Sequence, residues 1–253
     1  MPALLLVILV LILLFNPRLL PRLGSWLGGS SRKPFRQAKW VWSSFAGTED
    51  DSIRAEQEYG QECARMFAMQ FPGSVSGTDQ EIVANVGARL AKAVKDPRRE
   101  FRFTVVASTM ANAFALPGGF VFITGGLLDL CKRDPNEIAF FLGHEIGHIL
   151  RGHARDHLTA NTFLNAVMSR LPAAGQLLRQ VISKGYSKSM ELEADQEAAR
   201  LAAAAGFDAR VSAYALTRLA KAAPDPSGVA EYLSSHPPIS ERVRELEKCL
   251  RIH

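Results

Sequence analysis

The segment that most constrains the fold is residues 134–153, with the sequence DPNEIAFFLGHEIGHILRGH. Asp134 can cap a helix, Pro135 suits the first helical position, and Glu137 completes a capping-box-like pair. The positions that follow are apolar nearly all round, which is typical of a helix buried inside a domain. A domain built on this helix must therefore bury the polar HEIGH sequence at 144–148.

Two histidines four residues apart lie on one face of a helix, so His144 and His148 can present imidazole nitrogens to one metal ion. Glu145 is rotated by roughly 100° from His144, which places it near a metal-bound water rather than among the ligands. Two neutral imidazoles and a carboxylate base are what a zinc hydrolase needs. The alternative is a buried helix whose histidines are satisfied by other partners, since unpaired polar groups in a core carry a desolvation cost.

A catalytic zinc needs a third protein ligand, and SMELEADQEAARLAAAAG at 189–206 offers a candidate. This segment is a strong helix former that Gly206 can end. Glu191 and Asp195 are four residues apart and share a helix face. For an isolated ELEAD sequence, a solvated acidic face is the simpler interpretation. The alanine-rich stretch after it instead favours a helix packed closely against its neighbours.

HEIGH followed by ELEAD resembles the M48 family of zinc metallopeptidases, whose pattern is HExxH followed by ExxAD on a later helix. The segments NAFALPGGFVFITGGLL at 112–128 and SHPPISER at 235–242 resemble two further elements of that family, in the same order. The resemblance spans roughly residues 50–250. In layout the chain is more similar to the membrane-anchored Oma1-like members than to the multispanning HtpX type.

The resemblance implies a mainly helical, zincin-type α+β domain with a small β-sheet, one Zn²⁺ per chain and a protein or peptide substrate. It implies that Glu191 is the third zinc ligand and that Asp195 supports the site. His153 matches a recurrent histidine five residues after the motif. His236 and Arg242 match the histidine and arginine of the family's C-terminal element.

The chemistry of these last residues leaves several roles open. Asp195 can bond the second nitrogen of a ligand histidine and orient its ring. His236 can stabilise the oxyanion of a tetrahedral intermediate, fill the metal's open position in a resting state, or be a surface histidine before Pro-Pro. Arg242 can pair with Asp195, help polarise the substrate carbonyl, or be a solvated helix charge.

Strand-like sequences precede the motif at 101–108, 112–116 and 120–124, the last two joined by a Pro-Gly-Gly turn. The segment at 112–116 can form a sheet edge to which an extended substrate adds as another strand. An ordinary hairpin fits the sequence equally well. Under the first interpretation the substrate-binding candidates are Asn112, Ala113, Phe114 and Ala115.

Upstream of these strands, helical patterns are present at 51–70 and from Thr78 onward, where T-D-Q-E predicts a capping box. The cysteines, Cys63, Cys131 and Cys249, are widely spaced and include no CxxC. They predict three small buried hydrophobic side chains rather than a disulfide framework or a cysteine-bound zinc.

The N-terminal residues predict a membrane anchor. Residues 3–15 (ALLLVILVLILLF) are an unbroken apolar run without the basic start or small-residue cleavage site of a signal peptide. We therefore predict an uncleaved anchor at 1–23, a basic juxtamembrane linker at 24–48 and the metallopeptidase-like domain at 49–253. Because the nearby positive charge follows the run, the positive-inside tendency places the domain on the cytoplasmic side.

Charge supports a membrane partner over a nucleic acid. Six of the 30 Lys and Arg residues lie in 1–48, before the first acidic residue, so the formal net charge of +5 belongs to that segment. The remaining body is close to neutral and shows no basic surface pattern for nucleic acid. A basic segment beside an apolar run suits a membrane surface.

Two other functions remain compatible with the sequence. One is a membrane-tethered binding or chaperone-like module whose zinc is structural, with four protein ligands. The other is a zinc-free helical interaction protein. The segment between Leu158 and Ser189 has a moderately apolar stripe, which fits a lid or membrane-facing helix as well as a packed helical hairpin.

Overall fold

The computed structural model describes residues 48–69, 71, 73–153, 185–222, 236 and 239–251. The predicted anchor, nearly all of the linker and most of the segment between Leu158 and Ser189 lie outside these residues. The chain divides into two compact units, Met1–Tyr59 and Gly60–His253. Within the described ranges, no helix combines the length and the apolar character needed to cross a bilayer.

The described residues form a mainly helical α+β structure with a small sheet, which confirms this part of the predicted fold class, whereas the anchor helix stays a prediction. The elements in chain order are α1 (Glu49–Ala68), α2 (Gly77–Ala93), β1 (Arg102–Val106), β2 (Ala113–Leu116), β3 (Phe120–Thr124), α3 (Gly125–Leu130), α4 (Pro135–Leu150), α5 (Lys188–Ala204), α6 (Val211–Ala222) and α7 (Ile239–Arg251).

The sheet has the strand order β1-β3-β2, with β1 parallel and β2 antiparallel to β3. Among the described strands β2 is therefore an edge, and it forms an antiparallel hairpin with β3, so the two interpretations of the 112–116 segment are both compatible with the sheet. The β2–β3 turn requires glycine, because Gly119 has a φ of +89° and a Cβ there would lie 1.8 Å from the Glu100 carbonyl oxygen. This turn brings Leu116 opposite Phe120 and sets the register.

The predicted start of helix α4 is confirmed in part. The Asp134 side chain accepts a hydrogen bond from the Asn136 amide at 2.8 Å, and Pro135 is the first helical residue. Glu137 does not close a capping box. Its carboxylate is buried and lies 3.0 Å from Arg218 Nη2 on α6, because a desolvated carboxylate is better compensated by a guanidinium than by an amide.

Two smaller expectations were wrong. Helix α2 begins at Gly77 after Ser76, which makes no side-chain cap, so Thr78 lies inside the helix and T-D-Q-E is not a capping box. The reason is tertiary, because Asp79 pairs with Arg133 across 2.7 Å. Of the three cysteines only Cys63 and Cys131 are buried, whereas Cys249 is partly exposed near the end of α7.

Helix α4 forms the centre of the core, buried from Glu137 to Ile149. It packs most extensively against α5, and also against α2, α6 and β2. The α4–α5 contact is backbone to backbone: a Cβ at Gly147 would lie 3.0 Å from both Cα and O of Ala194. At Gly143 the corresponding distance to Ala198 Cα is 3.2 Å. The two glycines thus determine how closely α5 approaches the HEIGH helix.

We expect Gly147→Val to lower the free energy of unfolding by about 1–3 kcal/mol, because the added side chain overpacks a contact with backbone atoms that cannot rotate away. The matched control is Gly77→Val at the start of α2, where a Cβ would meet nothing within 4 Å. Urea denaturation of both variants measures the difference. Equal midpoints for the two variants would show that the close approach does not limit this packing.

Candidate metal centre

Four buried side chains converge at the middle of this core. Helix α4 supplies His144 and His148, α5 supplies Glu191, and His236 comes from the chain before α7. One ligand atom from each lies within 4.8 Å of all the others. The fold therefore brings together the three ligands expected from the sequence and adds His236 as a fourth group.

The distances inside the cluster are short. His144 Nε2 lies 3.0 Å from His148 Nε2. The Glu191 carboxylate approaches both rings, with Oε1 3.4 Å from His148 Nε2 and Oε2 3.6 Å from His144 Nε2. His236 Nδ1 lies 2.9 Å from Glu191 Oε1 and 3.4 Å from His144 Nε2. All four groups thus point at one small volume.

This donor set fits zinc. Two histidines and one glutamate are a common protein ligand set of catalytic zinc, and zinc–ligand bonds of about 2.0–2.1 Å in a tetrahedron hold ligand atoms about 3.3 Å apart. The separations among His144, His148 and Glu191 range from 3.0 to 3.6 Å. Two imidazole nitrogens in direct contact need a proton or a shared cation between them, and a metal ion supplies the latter.

Glu145 lies beside the cluster without belonging to it. It is 1% exposed, and neither carboxylate oxygen has a hydrogen-bond partner among the described residues. Its nearest basic group is His236 Nε2, 3.8 Å from Oε1. Burial raises the pKa of Glu145 above that of an ordinary glutamate. A buried, unpartnered carboxylate with a raised pKa suits a group that accepts a proton and returns it.

Asp195 and Arg242 form a buried ion pair behind His144. Arg242 donates from Nε to Asp195 Oδ2 and from Nη2 to Oδ1, both at 2.7 Å, and its side chain is fully buried. Asp195 Oδ1 also accepts from His144 Nδ1 at 2.9 Å, which leaves His144 Nε2 unprotonated toward the cluster. Burial opposes ionisation of Asp195, but Arg242 and His144 outweigh it and lower the pKa of Asp195.

Arg242 also contacts Glu191, one of the candidate metal ligands. Its Nη1 lies 2.7 Å from Glu191 Oε2 as an ion pair, although this oxygen receives no well-directed hydrogen bond from the described residues. The same Nη1 donates to the His236 carbonyl oxygen at 3.2 Å. The geometry thus places Arg242 against Asp195 and Glu191 and excludes the solvated helix charge considered above.

The buried acidic groups of the site are compensated mainly by Arg242 and His236. Glu145, Glu191 and Asp195 are three buried carboxyl groups, whereas Arg242 is the one guanidinium paired with them in the described structure. Burial opposes ionisation of Glu191, but His236 and Arg242 outweigh it and hold the pKa of Glu191 well below its usual range. Burial keeps the pKa of His148 well below that of a free histidine, so its imidazole is neutral and available as a ligand.

His153 contacts the other side of His148. The two Nδ1 atoms are 3.1 Å apart, so one proton lies between them. With His148 Nε2 facing the cluster, His148 Nδ1 is the donor and His153 Nδ1 the acceptor. His153 Nε2 lies 3.8 Å from the Glu193 carboxylate on α5.

Tyr186 is a part of the site that the sequence argument did not identify. Its ring stacks on His148 with centroids 3.9 Å apart and an interplanar angle of 19°. Burial raises the pKa of Tyr186, and the nearby Glu145 and Glu191 carboxylates raise it further. The available signal was positional: an aromatic residue directly before Ser187, the cap of the helix that carries Glu191.

The four substrate-binding candidates lie on and beside β2, which packs against α4. The structure does not bring them into the ligand cluster. The Asn112 backbone is fixed by Thr124, whose Oγ1 and amide lie 2.9 and 3.0 Å from it. The Asn112 side-chain oxygen is buried and has no hydrogen-bond partner among the described residues.

Several known proteins resemble part of this chain. A mitochondrial metalloendopeptidase OMA1 of Arabidopsis thaliana is 34% identical over 148 residues, covering 56% of this chain and 30% of the relative. A putative beta-barrel assembly-enhancing protease of Vibrio cholerae is 27% identical over 215 residues, covering 77% of this chain and 44% of the relative. The chain thus spans less than half the length of these two proteins.

A third relative, the metalloprotease YcaL of Escherichia coli, is 29% identical over 178 residues, which cover 63% of this chain and 68% of that protein. The sequence model for peptidase family M48 matches residues 78–250, from the start of α2 into α7 and across the whole ligand cluster. Since that match covers well over half of the chain, the protein belongs to peptidase family M48.

Proposed function

We propose that the protein is a zinc-dependent endopeptidase. The observation that carries the proposal is the buried cluster of His144, His148 and Glu191 with an unpartnered Glu145 beside it. Membership of a peptidase family supports the reaction class. Relatives named metalloendopeptidases support cleavage within polypeptide chains.

The chain's own residues have separable tasks in this reaction. His144, His148 and Glu191 would hold the zinc, which when bound polarises water and the substrate carbonyl. Glu145 takes a proton from the attacking water and passes it to the leaving amine. Asp195 keeps the proton of His144 on Nδ1, and His153 does the same for His148, so that both Nε2 atoms stay free.

Substrate binding by strand addition fits the sheet. Strand β2 is an edge among the described strands and packs on α4, which carries His144, Glu145 and His148, so a peptide added to β2 would bind next to that helix. Main-chain hydrogen bonds give loose sequence specificity, which suits a protease acting on misfolded or membrane-associated proteins.

His236 keeps two roles under this proposal. Its position, 2.9 Å from Glu191 and 3.4 Å from His144, suits a resting-state ligand in the metal's fourth position. Burial opposes charging of its ring, but Glu191 and Glu145 outweigh it and raise the pKa of His236. A protonated imidazole next to the reacting carbonyl suits stabilisation of the oxyanion.

Membrane attachment remains a prediction from the sequence. The apolar run at 3–15 and the basic residues after it support an N-terminal anchor with the domain on the cytoplasmic side. Several relatives are named as mitochondrial proteins, which describes those proteins alone.

One observation favours a second function, a binding or chaperone-like module with structural zinc. The cluster offers four protein ligand atoms, and structural zinc sites are closed by four protein ligands. Casein hydrolysis with and without a chelator discriminates the two functions, because a structural site gives no hydrolysis under either condition.

We expect Glu145→Gln to bind zinc like the wild type but to lose peptide hydrolysis by at least 10²- to 10⁴-fold, the usual contribution of a positioned acid–base group. His148→Ala should lose both zinc and activity. Glu81→Gln, at an exposed position of α2, is the matched control and should change neither. Zinc content by atomic absorption and cleavage of unfolded casein are the two measurements. A Glu145→Gln protein that still cleaves casein at the wild-type rate contradicts the proposal.

Removal of zinc by a chelator should abolish casein cleavage and lower the unfolding temperature, because a ligand that binds only the folded state stabilises it. Added Zn²⁺ should restore both. Full activity in excess chelator, with no zinc left in the protein, is the result that would rule out a metallopeptidase.

His236→Ala should retain zinc, since three protein ligands remain, and this separates the peptidase from the structural alternative. Loss of zinc together with unfolding supports a four-ligand structural site. If the variant retains zinc, a higher rate of casein cleavage indicates that His236 is a resting-state ligand of the metal. A rate lower by roughly 10²- to 10³-fold indicates that His236 stabilises the oxyanion of the intermediate.

A further inference from the structure

Tyr186 makes the flattest ring contact in the described part of the site. Its plane is 19° from that of His148 at a centroid distance of 3.9 Å. The rings of His144 and His153 meet His148 at 81° and 64°, and that of His236 at 46°. One face of the His148 imidazole is therefore covered by Tyr186.

Tyr186 lies two residues before the start of α5. The next residue, Ser187, caps the helix by accepting a hydrogen bond from the Met190 amide at 3.4 Å. Lys188 pairs with Glu241 on α7 across 2.6 Å. The first turn of α5 thus supplies one candidate ligand, Glu191, and the residue before its cap supplies the ring that packs on another, His148.

A histidine ring has a broad torsional minimum about its last bond, so neighbouring groups must fix its plane. For His148 the polar contacts act on its two nitrogen atoms, with His153 3.1 Å from Nδ1 and His144 3.0 Å from Nε2, so the ring can still tilt about the line through those atoms. A flat ring against the imidazole face removes that tilt. Groups that orient a ligand in this way commonly influence metal affinity by 10- to 100-fold.

We propose that Tyr186 is a positioning residue of the metal centre, acting through His148: its ring fixes the imidazole plane and directs Nε2 into the cluster. This inference rests on the proposed zinc site. The aromatic face carries the effect, so the hydroxyl is dispensable for metal binding. Tyr186→Phe therefore serves as the conservative variant, and Tyr186→Ala removes the contact.

The test measures metal binding in the purified full chain. The zinc dissociation constant is obtained by competition with a chromogenic chelator, and Co²⁺ substitution reports ligand geometry through its visible absorption. Tyr186→Phe should stay within about twofold of the wild type, with the same Co²⁺ spectrum. Tyr186→Ala should weaken zinc binding by roughly 10- to 100-fold and alter that spectrum.

Two control variants separate positioning from general damage. Ser187→Ala removes the cap of α5 but keeps the ring, and Tyr214→Ala removes a tyrosine that is 58% exposed on α6. Both should keep the wild-type zinc dissociation constant and Co²⁺ spectrum. If Ser187→Ala weakens zinc binding as much as Tyr186→Ala does, the effect belongs to the helix start and the proposal is wrong.

The inference is overturned if Tyr186→Ala binds zinc with the wild-type constant and gives the wild-type Co²⁺ spectrum. That result leaves the proposed peptidase intact, because casein cleavage by the wild type and its loss in Glu145→Gln are independent measurements. Conversely, an active Glu145→Gln protein overturns the catalytic proposal, while weaker zinc binding in Tyr186→Ala still supports the role of Tyr186.

Discussion

The site depends on the close approach of two helices. Gly143 and Gly147 on α4 meet Ala198 and Ala194 on α5 at distances that leave no space for a further methyl group. At this separation Glu191, one turn before Ala194, reaches the two histidines of α4. A wider separation would leave the imidazoles and the carboxylate in different parts of the core, each without its partner. The small residues are thus as much a part of the site as the ligands.

Buried charge is the second constraint, and it follows from the first. Packing α5 against α4 buries Glu191 and Asp195, and two carboxylates in a core are unfavourable unless they are compensated. Arg242, from α7, contacts both of them and also bonds the His236 carbonyl oxygen. One guanidinium therefore joins the C-terminal helix to the ligand helix and orients Asp195 toward His144.

Several features were predictable because they depend on neighbours along the chain. The cap at Asp134, the first-turn proline and the four-residue spacing of His144 and His148 are local properties of one helix. The strands and the β2–β3 turn were also recognisable from short patterns. Glu191 could not be assigned as a ligand from local sequence. Its interpretations as a solvated or a buried side chain differ only in what α5 packs against. The family resemblance, rather than the residues alone, decided between them.

Other features depended on contacts that no local pattern encodes. Asp79, inside the expected T-D-Q-E capping box, and Glu137, expected to complete another, instead pair with Arg133 and Arg218, which are 54 and 81 positions further along the chain. Tyr186 has no motif of its own, and its importance arises only from the ring beneath it. The sequence by itself determined the candidate ligand types, their helical spacing and the glutamate proposed to accept a proton. Tertiary structure alone decided which charges are paired, how His236 faces the cluster and which ring covers His148, because those contacts join segments distant in sequence whose approach is set by packing.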